Sequence, residues 1–175
     1  MVTPPSLRVF EYFAHAYRRT WRASIMTTFV NPVLYLAAMG VGLGSFINKG
    51  AHSAALGDLS YLQFVAPALA ATTAATTASS EAMFPIMGAI KWVGTYFGML
   101  ATPLRVGDVL AGHLMWIATR VATAVAAYLV VMAAFGAIAS PWAIAVLPVG
   151  VLTGMAFATP LAAPHAQIAV SDLLP

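Results

Sequence analysis

Eight Lys or Arg, five Asp or Glu and four His carry the charge chemistry of this 175-residue chain, and cysteine is absent. Disulfides, thiolate metal sites and thiol nucleophiles are therefore excluded. His15, His52, His113 and His165 stand apart, each without a ligand-like neighbour, and no H-E-x-x-H occurs. Spacing offers no metal centre. There is no G-x-S-x-G and no Ser, His and Asp grouping that stands out, so acyl transfer lacks its nucleophile. No Walker A glycine loop occurs either, and ATP cannot be bound here by that device. The chain reads as no enzyme, with no catalytic, cofactor-binding or metal-binding set of its own.

What remains is charge in apolar surroundings. Glu81 ends a stretch that carries no charge after Asp58, and Arg120 sits about two turns into a later apolar stretch. An ionisable residue at such a depth is a functional hypothesis by default. Arg120 has three roles open to it: snorkelling to the interface, pairing with Glu81 on the same side, or touching a substrate. His113 lies seven residues before Arg120, which puts both on one helical face. Trp116 is close to that face and suits an interfacial anchor.

The elements that must position these groups are transmembrane. The chain is 61% hydrophobic and 7% charged, with a mean hydropathy of +0.87. Soluble domains carry roughly 25% charged residues, and a fold of this size has no interior large enough to hide so much apolar surface. Each span needs about 20 residues, so four spans and their connections use up the chain. The expectation is an all-α polytopic membrane protein. The net charge of +3 marks cytoplasmic segments rather than nucleic-acid binding. The first apolar run follows a long charged and aromatic segment, an order that does not suit a cleaved signal peptide.

Along residues 1–23, Leu7, Phe10, Ala14, Tyr17 and Trp21 recur at helical steps, and Arg8, Glu11, His15, Arg18 and Arg22 do so offset by one. Two such faces predict an amphipathic helix, either lying in the membrane interface or packing on a partner. Spans are predicted at 24–47, 60–84, 113–135 and 141–163, with a loop at 85–112 carrying one or two short helices. Asn31 and Pro32 fall inside the first span, which lipid tolerates. Gly40/Gly44 and Gly150/Gly154 are G-x-x-x-G pairs that permit close helix contact. The TTAATTASS run at 72–80 suits either tight packing or a polar lining for a path. Basic residues set the orientation: Arg8, Arg18, Arg19, Arg22, Lys91 and Arg105 on one side, Lys49 alone on the other. The N-terminus and the 85–112 loop are thus predicted to be cytoplasmic.

Residues 81–120, EAMFPIMGAIKWVGTYFGMLATPLRVGDVLAGHLMWIATR, resemble the loop and third-span entry of ABC-2 type permeases in the nodulation-factor and drug-export branch. QFVAPALAA at 63–71 and the run from Phe135 to Pro160 resemble it as well. The resemblance covers nearly all of the chain to about Ala163, placing the transmembrane domain at 24–165. It implies six spans, a second permease copy and a separate ATP-binding-cassette subunit, so ATP would be bound by that partner. It also implies that the loop contacts the ATPase, with Glu81, Lys91, Arg105 and Asp108 as candidate coupling residues; Arg120 and His113 stay as candidate intramembrane polar residues. The implied function is a permease subunit of an exporter in the inner membrane, moving a hydrophobic or amphiphilic substrate such as a drug, lipid or glycan. The alternative is a non-transporting anchor or assembly protein, or an inactive permease fragment. The family expects two further spans, and the tail at 166–175 departs from its pattern, so the expectation is a C-terminally shortened permease.

Overall fold

The computed structural model describes residues 4–47 and 59–171, and every regular element among them is helical. Helix α1 runs Pro5–Tyr17 and α2 runs Trp21–Ala37, continuing through a π-helical stretch at Ala38–Leu43 into α3 at Gly44–Ile47. Helix α4 spans Tyr61–Met87, followed by a π-helical stretch at Gly88–Trp92. The short α5 (Thr95–Leu100), the long α6 (Val106–Ala134), a 3-10 turn at Pro141–Ala145 and α7 (Val146–Ser171) complete the order. The predicted loop at 48–59 lies mostly outside the described residues.

Local chemistry sets the helix ends. Ser60 Oγ accepts the Gln63 N–H at 3.3 Å while Gln63 Oε1 accepts the Ser60 N–H at 3.0 Å, a reciprocal cap that opens α4. Helix α6 closes on Gly136, at φ 66°. There the Ala137 N–H reaches the Met132 carbonyl and the Gly136 N–H reaches that of Ala133, the left-handed stop that glycine permits.

The expected loop at 85–112 is shorter than its boundaries. Helix α4 passes through Pro85, the π-helical stretch carries the chain to Trp92, and α6 begins at Val106 rather than His113. Asp108 fixes that start by accepting the Arg105 backbone N–H at 3.0 Å and placing an acid in the first turn. The connection proper is therefore residues 93–105 with α5 inside it. At the other end, α7 stays helical to Ser171, so the boundary expected near 163 falls within the helix.

Among the described residues, three stretches are long and apolar enough to cross a membrane: Ser24–Ile47, Val106–Ala134 and Pro141–Pro164. These overlap the first, third and fourth expected spans in sequence. Helix α4 occupies the second but is not among the three. Its 27 residues reach about 40 Å; the six Thr and Ser between Thr72 and Ser80 lower its hydropathy. Four of those hydroxyls are satisfied by their own helix: Thr72, Thr73, Thr76 and Ser80 each donate to a carbonyl three or four residues back, at 2.8–3.2 Å. The molecule is an all-α membrane protein.

Helices α4, α6 and α7 form the core, with α2 against α6 and α1 against the first half of α6. Helix α4 buries Ala66, Ala70, Ala74, Ala78 and Ala82, one residue in four down a single face. Helix α7 presents Gly150, Gly154, Ala158 and Ala162 at the same interval. A Cβ on Gly154 would stand 2.9 Å from Val121 Cγ1 and 3.2 Å from the Ala74 carbonyl, and one on Gly150 3.0 Å from Val125. Helices α4 and α7 thus run side by side in one direction, with α6 returning against both. Small residues let the backbones meet where apolar burial alone gives no drive between helices in lipid. Gly154→Leu is expected to cost about 1–3 kcal/mol through overpacking and to lower the thermal midpoint in detergent. Leu152→Ala, on an outward side chain that is 71% exposed, should leave it unchanged.

Candidate functional site

Helices α2, α4 and α6 enclose a cleft of about 500 Å³. Its α2 wall is Thr28, Asn31, Pro32 and Tyr35, its α4 wall is Thr73, Thr76, Thr77, Ser80 and Glu81, and Arg120 and Ala124 come from α6. The 72–80 run divides between two faces of one helix. The alanines at every fourth position pack, and Thr73, Thr76, Thr77 and Ser80 face the cleft. Pro32 adds a backbone acceptor: with no N–H on Pro32, the Thr28 carbonyl lacks its helical partner.

One end of the cleft is closed by charge. Arg120 Nε donates to Glu81 Oε1 at 2.9 Å, and Nη1 donates to the Tyr17 hydroxyl at 2.8 Å. The guanidinium carbon also stands 4.6 Å from the centre of the Tyr17 ring. Of the three roles open to Arg120, the structure shows the ion pair, with both side chains lining the cleft. The opposite charges cancel, so the cleft is polar with no net charge from this pair.

Below the pair lies an aromatic nest. The face of α1 that carries Phe10, Phe13 and Tyr17 docks on α6: Phe13 sits 4.3 Å from the His113 ring, and Phe10 and Tyr17 sit 6.1 and 5.4 Å from Trp116. Val9 is buried against Gly112, where a Cβ would lie 2.5 Å from the Ser6 carbonyl. Part of the amphipathic face expected over residues 1–23 thus packs on the chain's own α6, while Trp21 of that face stays 45% exposed. His113 is fully buried, and its Nδ1 is hydrogen-bonded to the Tyr96 hydroxyl of α5. Burial pushes the Tyr96 phenol above its ordinary range, which keeps the proton on its oxygen.

The remaining candidates lie apart from the cleft. Lys91 is exposed on the π-helical stretch, Arg105 is exposed at the start of α6, and Asp108 is its cap. Glu81 is thus separated from the other three coupling candidates and joined instead to Arg120. His15 makes a local contact, its Nδ1 2.8 Å from the Glu11 carbonyl; His52 lies outside the described residues. Among the described residues no three His, Asp or Glu side chains gather as a metal ion would require. Sequence reasoning missed Tyr17, Tyr96, Thr28 and Tyr35 as site residues. Asn31 followed by Pro32 in a charge-free span was the available signal for the α2 wall.

The chain is similar to curated proteins named Nodulation protein J. It is 35% identical to that of Rhizobium leguminosarum bv. trifolii over 144 residues, 82% of this chain and 53% of the relative. With the same coverage it is 32% identical to that of Rhizobium leguminosarum bv. viciae and 30% to that of Rhizobium meliloti (strain 1021). The chain spans about half the length of the curated relatives it matches. No family model matches it, and no solved structure does. An all-α membrane protein with a hydroxyl-lined cleft is thus similar, over most of its length, to the proteins named Nodulation protein J, in keeping with the nodulation branch that residues 81–120 resemble.

Proposed function

We propose that this chain is the membrane-spanning permease subunit of an ATP-driven exporter of the ABC-2 type. In this reading it sits in the inner membrane with α4 as a fourth span and the N-terminus in the cytoplasm. A separate ATP-binding-cassette subunit supplies ATP hydrolysis, and a second permease copy completes the assembly. The observation that carries the reading is the cleft. A purely structural apolar bundle has no need of a row of hydroxyls, an amide and an ion pair facing open space. A polar-lined path through an apolar shell needs all three, because desolvated polar groups of a passenger must find partners.

Two features support the orientation. Tyr17 reaches Arg120 and Ser6 reaches Gly112, so α1 stands at the end of the bundle where residues 88–105 connect α4 to α6. The six basic residues assigned to the cytoplasm therefore share one end, as the positive-inside rule requires. The exposed Lys91 and Arg105 suit a surface that a partner grips, and a hydrophobic or amphiphilic substrate would suit the cleft's mixed lining.

The test is co-purification from detergent with a co-expressed ATP-binding-cassette subunit, with and without Arg105→Glu and Asp108→Lys. Binding that these changes abolish, together with ATP hydrolysis stimulated by the intact chain, is the expected result. An inserted, monodisperse chain that binds no such subunit would favour the membrane anchor instead.

A further inference from the structure

The cleft's Glu81 is addressed twice. Its carboxylate holds Arg120, while its backbone carbonyl lies against the imidazole of His113. That carbonyl lacks its helical partner, as the Gln63 carbonyl does before Pro67, because the N–H it would take belongs to residue 85 and residue 85 is proline, which has none. His113 has the complementary vacancy. Its Nδ1 is taken by Tyr96, while Nε2, fully buried, has no hydrogen-bond partner. With the Tyr96 hydroxyl donating to Nδ1, the imidazole proton is on Nε2. The other tautomer would leave Nε2 a bare lone pair turned toward the lone pairs of the carbonyl. An orphaned donor and an orphaned acceptor therefore face one another in a buried place, each carrying a desolvation penalty while unpaired.

We infer that His113 is a positioning residue, tying the α5 connection to the floor of the cleft through the backbone carbonyl of Glu81. Two arrangements follow from the geometry. In one, Nε2–H and the carbonyl lie against each other without a full hydrogen bond, as here. In the other, a small shift of α6 against α4 completes that bond and draws Glu81, with Arg120, toward α5. Tyr96 selects between them, because its hydroxyl sets both the tautomer and the tilt of the ring. Phe13 packs on the same ring, so α1 is held in register with whichever arrangement is adopted. A bistable element biased from one end and read at the other is what coupling between two sites consists of. This deepens the proposed function, on which it rests, by naming how movement of the connection reaches the cleft. Its test uses the chain alone, so failure of the relay and absence of an ATPase partner are separate results.

The chain is free of cysteine, so a single Ser80→Cys in the cleft reports its accessibility to a charged methanethiosulfonate reagent in detergent. Val125→Cys, at a position with no exposure, reports whether the bundle stays folded. Tyr96→Phe is expected to raise the labelling rate at position 80 by about fivefold or more and to leave position 125 protected. In a Pro85→Ala background the Glu81 carbonyl regains a helical N–H, so the same Tyr96→Phe change should add nothing. Nitrogen-15 spectra of labelled histidine should show His113 as the Nε2–H tautomer, becoming a mixture in Tyr96→Phe; His113→Gln assigns the signal. An unchanged rate at position 80 with position 125 protected would overturn the relay. So would a full Tyr96→Phe effect in the Pro85→Ala background. If Tyr96→Phe exposes position 125, Pro85→Ala alone decides: a rate at position 80 equal to the parent's refutes the role of the carbonyl.

Discussion

Arg120→Leu is expected to destabilise the bundle by about 3 kcal/mol, and adding Glu81→Leu is expected to return most of the loss. The single change leaves the Glu81 carboxylate between α4 and α6 without its cation, and the Tyr17 hydroxyl without its donor. The double change removes both charges and refills the space with apolar atoms of similar volume. Relative exposures of 16% for Arg120 and 18% for Glu81 leave the pair partly reachable by water in the cleft, which holds the penalty at the lower end of the range for buried pairs. Thermal midpoints in detergent of the parent, both singles and the double form a cycle. A double variant no better than the sum of its parts would mean that the pair is not energetically joined. Under the proposed permease role, transport is expected to fail in all three, because the polar floor of the cleft is lost in each.

Gly112→Val is expected to lift α1 from α6. Position 112 has no room for even one carbon: a Cβ would stand 2.5 Å from the Ser6 carbonyl and 2.6 Å from Val9 Cβ. Ser6 meets the site with backbone, which cannot rotate away, so the helix itself must move. Overpacking of this kind costs about 1–3 kcal/mol. Helix α1 has only 13 residues, too few to hold its shape in water once its docking face is lost. The measurement is amide hydrogen exchange. Peptides from 5–17 should lose most of their protection, while those from 146–160 in α7 keep theirs, since α7 rests on α4 and α6. Equal loss in both would mean global unfolding instead of local release.

The two faces of α1 were legible because aromatics and arginines recur at helical steps, and a helix shows such periodicity whatever covers it. What covers it was not legible: the Tyr17–Arg120 contact joins residues 103 apart, and nothing local announces it. The Glu81–Arg120 pair was within reach because both charges fall at one end of neighbouring spans with no other charge at that depth. The 85–112 segment was misjudged for a physical reason. Pro85, Gly88, Gly94 and Pro103 read as helix breakers in water, yet here only Gly94, at φ 68°, truly ends a helical run before α5. Pro85 is absorbed into α4, because a helix in lipid tolerates a proline at the cost of one freed carbonyl, here that of Glu81. The cleft was half legible. The hydroxyl run announced a polar surface, but that the alanines at every fourth position would turn those hydroxyls outward required the position of α7.

That one-in-four interval also divides the chain by how freely it can vary through descent. At Ala70, Ala74, Ala78, Gly150 and Gly154 nearly every mutation adds atoms where none fit, so selection keeps these codons within the smallest amino acids. Outward positions such as Phe64, Val149 and Leu152 carry no such penalty. Under the proposed permease role, new passenger preferences would therefore arise by single steps on Thr28, Asn31 and Tyr35 or along the hydroxyl row, with the scaffold that carries them left intact.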